Sequence, residues 1–271
     1  MSAQRAEAPL GVFDSGIGGL TVVQAIAELL PDERIVYLGD TARVPYGNKS
    51  PETVARFARQ DAAFLLGRGV KAVVVACNTA TAFALPALEA ALEVPVIGVL
   101  EPGVEAALGR TRNGRIGLIG TAGTIGSEAY QRAIAARRPG AHIVPRATPL
   151  LVPLVEEGWL EHPVTRQVLA EYLGPMLRED IDTLVLACTH YPLLKPALRE
   201  VAGEGVALVD SATTCAAHVA GRLGALGLAA PPGGGCGIDI YLTDRPAQFE
   251  RVARRFLTAP IKGIEVVALP E

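Results

Sequence analysis

No stretch of this 271-residue chain approaches the roughly 20 consecutive apolar residues that span a bilayer, and its opening, MSAQRAEAPLGVFD, is polar and small where a secretory leader would be apolar. A cytoplasmic protein is expected. Runs of one charge are missing too. Twenty-five Lys and Arg stand against 28 Asp and Glu, a net charge of -3, and no basic run is longer than the pairs Arg137-Arg138 and Arg254-Arg255. Nothing in that pattern draws a nucleic acid or an anionic membrane. Cysteine is scarce: Cys77, Cys188, Cys215 and Cys236 are too few and too scattered for a disulfide framework, which leaves reactive thiols or small core residues. Cys215 with His218 is the one pair at a metal-like spacing, and no second Cys/His pair lies near enough in sequence to complete a tetrahedral set, so no metal is expected. The G-x-G-x-x-G order of a dinucleotide site is lacking as well, and a nucleotide cofactor is not indicated.

What is present is apolar material, half of all residues, enough for a substantial core. Short β-branched runs at 10–13, 34–38, 72–75, 115–119, 183–186, 207–209 and 238–242 alternate with helical patterns at 19–30, 51–68, 80–91, 127–137, 163–176, 193–201, 212–226 and 246–257. That alternation predicts an α/β fold of parallel-rich sheets flanked by helices. The chain also echoes itself. VVVACNTATAFALPALEA, from Val73, resembles TLVLACTHYPLLKPALRE, from Thr183: each is a buried-looking strand ending in Ala-Cys, followed later by Pro-Ala-Leu. A weaker echo pairs GVFDSGIGG with GLIGTAGTIG. Two similar α/β domains are expected, related by a pseudo-twofold.

Such halves place ligands outside the carboxyl ends of their strands, so a facing pair would direct Cys77 and Cys188 into one cleft between them. Core thiols would more typically sit among apolar neighbours, whereas Cys77 precedes Asn78-Thr79 and Cys188 precedes Thr189-His190. Two thiols in a polar cleft can move protons on opposite faces of one carbon, which is what racemisation of an amino acid requires: a base on one face and a proton donor on the other. A disulfide, with its sulfurs about 2.05 Å apart, is a different ground state from two thiols holding a carbon between them. Free cysteine titrates near about 8.5, so each thiol needs a helper. His190, two residues beyond Cys188, could take its proton or stabilise its thiolate, or be purely structural; Asp14, ending the first strand, could serve Cys77. The turn DSGIGGL puts Ser15 and glycine-rich backbone ahead of a helix, where free N–H groups suit a carboxylate, although an ordinary strand-to-helix turn reads the same way. GDTARVPYGNKS, with Tyr46 and Gly47, is a binding loop or a plain Pro/Gly turn.

Taken together, DSGIGGL (14–20), GDTARVPYGNKS (39–50), ACNTA (76–80), GTAGT (120–124), PLVEEG (153–158) and ACTHYPLL (187–194) resemble the glutamate racemases. The resemblance implies a homodimeric enzyme that supplies D-glutamate for peptidoglycan, takes glutamate as its small-molecule substrate and uses no pyridoxal phosphate or other cofactor. It implies that Cys77 handles the proton on the D face and Cys188 on the L face, with Asp14 and His190 as supporting acid/base groups. Asp14-Ser15, Tyr46-Gly47, Asn78-Thr79 and Thr189-His190 match the substrate-binding pairs, Glu156 a further catalytic carboxylate, and Thr121 and Thr124 hydroxyls near the substrate side chain. Glu157 stands beside Glu156, so that assignment rests on register, the alternative being an acid on a helix surface. The first domain is expected to be discontinuous, 1–97 with 211–271, around an inserted 98–210. An aspartate or hydantoin racemase of the same superfamily is the nearest rival, and a non-catalytic ligand-binding regulator on the same scaffold the more distant one.

Overall fold

The computed structural model describes residues 5–233, 237–245 and 249–269. Cys236 and the first residues of the helix expected over 246–257 lie outside them. Strands β1 (Leu10–Asp14), β2 (Arg34–Gly39), β3 (Ala72–Val75) and β4 (Val96–Gly98) alternate with helices α1 (Leu20–Leu29), α2 (Pro51–Leu66) and α3 (Asn78–Ala91). The chain then runs through α4 (Leu100–Arg110), β5 (Arg115–Gly120), α5 (Ala122–Gly126), α6 (Ala129–Arg137), β6 (His142–Ala147), α7 (Leu151–Glu157), α8 (Pro163–Leu177), β7 (Thr183–Ala187), α9 (Lys195–Ala202) and β8 (Ala207–Asp210). It closes with α10 (Ser211–Leu226), β9 (Gly237–Leu242), α11 (Phe249–Phe256) and β10 (Ile261–Val266). No helix among the described residues is long and apolar enough to cross a membrane.

Two sheets result, ordered β10-β9-β2-β1-β3-β4 and β6-β5-β7-β8, with every described pairing parallel. The order β2-β1-β3-β4 recurs as β6-β5-β7-β8, so the sequence echo is a repeat of topology: β3 and β7, which carry the Ala-Cys ends, hold the same place in their sheets. Central strands such as LGVFD of β1 and TLVLA of β7 are buried at every residue, as expected for parallel strands covered on both faces. α2 starts where Ser50 accepts a hydrogen bond from the Thr53 N–H, with Pro51 in its first turn.

Some elements depart from expectation. β6 and β10 are sheet edges whose side chains are mostly exposed or half-exposed, and β4 has three residues, so none shows the apolar run by which the other strands are read. α4 and α7 also lie outside the expected helices. The helix expected over 127–137 starts later, as α6, because Glu128 takes a left-handed φ of 56° between α5 and α6. The pattern at 193–201 is a 3-10 turn, Tyr191–Leu194, leading into α9.

Candidate active site

The carboxyl ends of β1, β2 and β3 in one sheet and of β5, β6 and β7 in the other, with the segments that follow them, line a cavity of about 280 Å³. Ser15, Tyr46, Gly47, Cys77, Asn78, Thr79, Thr121, Thr124, Glu156, Cys188, Thr189 and His190 all line its wall. Asp14 does not; it stands behind the wall, 1% exposed. Both cysteines of the cavity are buried and free, and Cys215 is a third free thiol, packed in the core on α10 and pushed up to about 12 by burial.

Cys77 caps α3: its Sγ accepts from the Ala80 N–H at 3.4 Å and lies 3.7 Å from the Ser15 hydroxyl. Burial pushes this thiol up to about 12, the Asp14 and Cys188 charges add to the rise, and the Ala80 and Ser15 contacts oppose it. The side chain within hydrogen-bond reach of Cys77 is therefore that of Ser15, while Asp14 acts on the thiol as a neighbouring negative charge. Asp14 accepts from the Gly16 N–H at 3.1 Å, and its Oδ1 has no hydrogen bond of ordinary geometry among the described residues. Its carboxyl is raised, because burial outweighs the pull of His190 and of the N–H groups of Gly19, Gly16 and Ser15.

The opposite thiol has different company. Cys188 Sγ lies 3.9 Å from His190 Nδ1, and His190 Nε2 lies 3.0 Å from Glu156 Oε1. Burial would push the imidazole down, but its contacts with Cys188 and Glu156 prevail and raise it to about 10. An imidazolium in that position is placed to stabilise a thiolate at Cys188. Of the two adjacent acids in PLVEEG, Glu156 is the one that reaches His190, while Glu157 is exposed.

Contacts between the two halves hold this geometry. The hydroxyls of Thr79, Thr121 and Thr124 form a triangle with sides of 2.9, 3.0 and 3.0 Å. Thr21 donates to the Thr189 carbonyl at 2.8 Å. A Cβ on Gly18 would lie 2.3 Å from Thr189 Oγ1 and 2.4 Å from His190 Nδ1, so the DSGIGGL turn can meet the Cys-Thr-His loop only without a side chain there. The Asn78 amide is fixed by Tyr130, which donates to its Oδ1 at 2.7 Å, and by Ser211, which accepts from its Nδ2 at 3.2 Å. α11 contributes Arg255, donating to the Glu156 carbonyl at 2.9 Å, and Phe256, whose ring edge meets His190 at 5.4 Å between centroids. Tyr130, Ser211, Arg255 and Phe256 carry no motif that marks them in the sequence, since they reach the site only through tertiary packing.

The family model for Asp/Glu/Hydantoin racemase matches residues 11–219. A glutamate racemase of Syntrophus aciditrophicus (strain SB) is 51% identical over 261 residues, covering 96% of this chain and 97% of that protein. Among solved structures, a glutamate racemase isoform of Bacillus anthracis superposes with a TM-score of 0.92 at 40% identity, over 97% of this chain and 98% of that one. The glutamate racemase of Francisella tularensis subsp. tularensis SCHU S4, solved in complex with D-glutamate, gives a TM-score of 0.90 at 36% identity over the same shares. Matched by the family model over most of its length, and alike in sequence and fold to these enzymes, the chain belongs to the Asp/Glu/Hydantoin racemase family.

Proposed function

We propose that this protein is a glutamate racemase that needs neither pyridoxal phosphate nor metal, with Cys77 and Cys188 as acid and base on opposite faces of the substrate α-carbon. One observation carries the reading: two free thiols at matching strand ends of two like-ordered sheets line a single cavity. The thiolate of Cys188, paired with the His190 imidazolium, takes the α-proton of L-glutamate. The resulting carbanion takes the thiol proton of Cys77 on its other face, giving D-glutamate and leaving Cys188 as thiol and Cys77 as thiolate. D-glutamate runs the same steps backwards. The thiols return to their starting states by exchange with solvent. Ser15, Asn78 and Thr189, with the N–H groups of the glycine-rich turn, hold the amino-acid end. The Thr79–Thr121–Thr124 hydroxyls receive the side-chain carboxylate. The D-glutamate so made would feed peptidoglycan synthesis. We also infer that 1–97 with 211–271 and 98–210 are the two units; what supports this is that β1–β4, β9 and β10 share one sheet and β5–β8 the other.

Incubating the protein with L-glutamate in deuterated water, without pyridoxal phosphate and with a chelator present, tests the mechanism. Optical rotation should decay while deuterium enters the α-position. Racemisation without deuterium, or turnover abolished by the chelator, would sink it. Aspartate should be poorer, because its shorter chain leaves the hydroxyl triangle partly unpaired.

A further inference from the structure

Beneath the cavity wall lies a buried acidic pair that the proton transfer does not use. Asp40, just after β2, and Asp61, on α2, are both fully buried, and the Tyr46 hydroxyl is turned inward between them. It makes a short hydrogen bond with Asp40 Oδ2 and lies 2.8 Å from Asp61 Oδ2. Arg43 spans the pair, donating from Nε to Asp40 Oδ2 at 2.6 Å and from Nη2 to Asp61 Oδ1 at 3.0 Å, while Thr243 donates to Asp40 Oδ1 at 2.9 Å.

Counting protons settles which group holds what. A tyrosine hydroxyl has one hydrogen, yet two carboxyl oxygens lie within hydrogen-bond distance of this one, so a second proton must sit on a carboxyl. Asp40 Oδ2 already accepts from the Arg43 guanidinium, a role suited to a charged oxygen, and Asp40 Oδ1 accepts from Thr243. Asp61 Oδ1 accepts from Arg43, which leaves Asp61 Oδ2 as the atom that carries the extra hydrogen. Asp61 then donates to Tyr46, and Tyr46 donates to Asp40. The charges also balance, with one guanidinium and one carboxylate, where two carboxylates would leave a buried negative charge in excess. Burial and the Asp40 charge push Asp61 in the same direction, well above the usual carboxylate range.

We infer that Asp61 is a neutral carboxylic acid at working pH and a positioning residue: the relay Asp61 to Tyr46 to Asp40 fixes the Tyr46–Gly47 segment where it forms the cavity wall. Gly47 presses on Thr121, where an added Cβ would lie 2.6 Å from the threonine Cβ, so a shift of this segment moves a member of the hydroxyl triangle. The functional part of the inference rests on the reading of Tyr46–Gly47 as substrate-binding.

Two readouts test it. Carbon-13 NMR of protein labelled at aspartate side-chain carboxyls should show a carboxyl still protonated at neutral pH whose resonance is lost in Asp61→Asn and shifted in Tyr46→Phe. This readout does not depend on what the enzyme turns over. In racemisation, Asp61→Ala should raise KM for glutamate about tenfold with kcat much less affected, as expected when a hydrogen-bonded buried acid is removed. Asp61→Asn, whose amide can donate to Tyr46 and accept from Arg43, should restore most of the loss, while Asp40→Asn should not. An ionised Asp61 at neutral pH, or equal damage from Asn at positions 40 and 61, would overturn the protonation assignment. A protonated Asp61 with KM unchanged in Asp61→Ala would overturn the positioning role. Absence of any glutamate turnover would count against the proposed reaction and leave the NMR result standing.

Discussion

Cys77 borrows its support from a helix start and a serine hydroxyl, whereas Cys188 borrows it from an imidazole backed by a carboxylate. Because the two thiols are supported differently, removing each should leave a different remnant. Cys188→Ser should cut racemisation by about 100- to 10,000-fold, the usual worth of a positioned acid/base, while slow α-proton exchange into D-glutamate persists. Cys77→Ser should show the reverse preference. NMR-detected exchange in deuterated water checks both; if both variants exchanged the same enantiomer, the assignment of faces would fail. His190 adds a pH signature. Raised from an ordinary 6.5 to about 10, it binds its proton more tightly folded than unfolded, so its contribution to stability is complete below pH 6.5 and fades as pH climbs to about 10. The stability lost on His190→Asn, measured by urea unfolding, should therefore shrink across that interval. A constant difference would mean that the imidazole is not held charged. Residues such as these were legible in the sequence because a reactive side chain after a buried strand, among polar neighbours, is an unusual place for a core residue. Asp40 and Asp61 were not, since their partnership through Tyr46 exists only once α2 has packed against β2.

Among the elements, the strands readable from sequence were the buried ones. β1, β3 and β7 are buried at every residue and mostly apolar because helices cover both of their faces, while β6 and β10 face solvent at the sheet edges and carry mixed residues such as His142, Arg146 and Lys262. The strand-to-helix turns were recognisable by composition, but the reason for their glycines was not. At Gly18 that reason is the approach of the opposite half. Gly18→Ala should cost about 1–3 kcal/mol as an overpacking substitution, and should reduce kcat/KM by more than the lost stability explains, because the displaced atoms belong to Thr189 and His190. Thermal unfolding and kinetics on the same preparation check this; a stability loss with unchanged kinetics would show that the two halves can part here without disturbing the site.

Seen as a whole, the molecule is one strand order used twice, with the chain leaving the first sheet after β4 and returning to it with β9 and β10. The two-sheet architecture could be read from the echo of Ala-Cys strand ends, since a repeated unit repeats its motifs, and family membership from the resemblance carried by the motifs between Asp14 and Leu194. The α11 contacts to His190 and Glu156 could not, because they come from a helix with no counterpart in the echo. The repeat has a thermodynamic consequence. In water, two enantiomers have the same free energy, so a catalyst that interconverts them must have equal kcat/KM in the two directions, however it is built. On the proposed mechanism the matching strand ends would supply one proton carrier for each face, and the unequal surroundings of the two thiols would make the bound states unequal. The inequality can therefore surface only as a compensated pair: the enantiomer held more tightly is turned over more slowly, by the same factor.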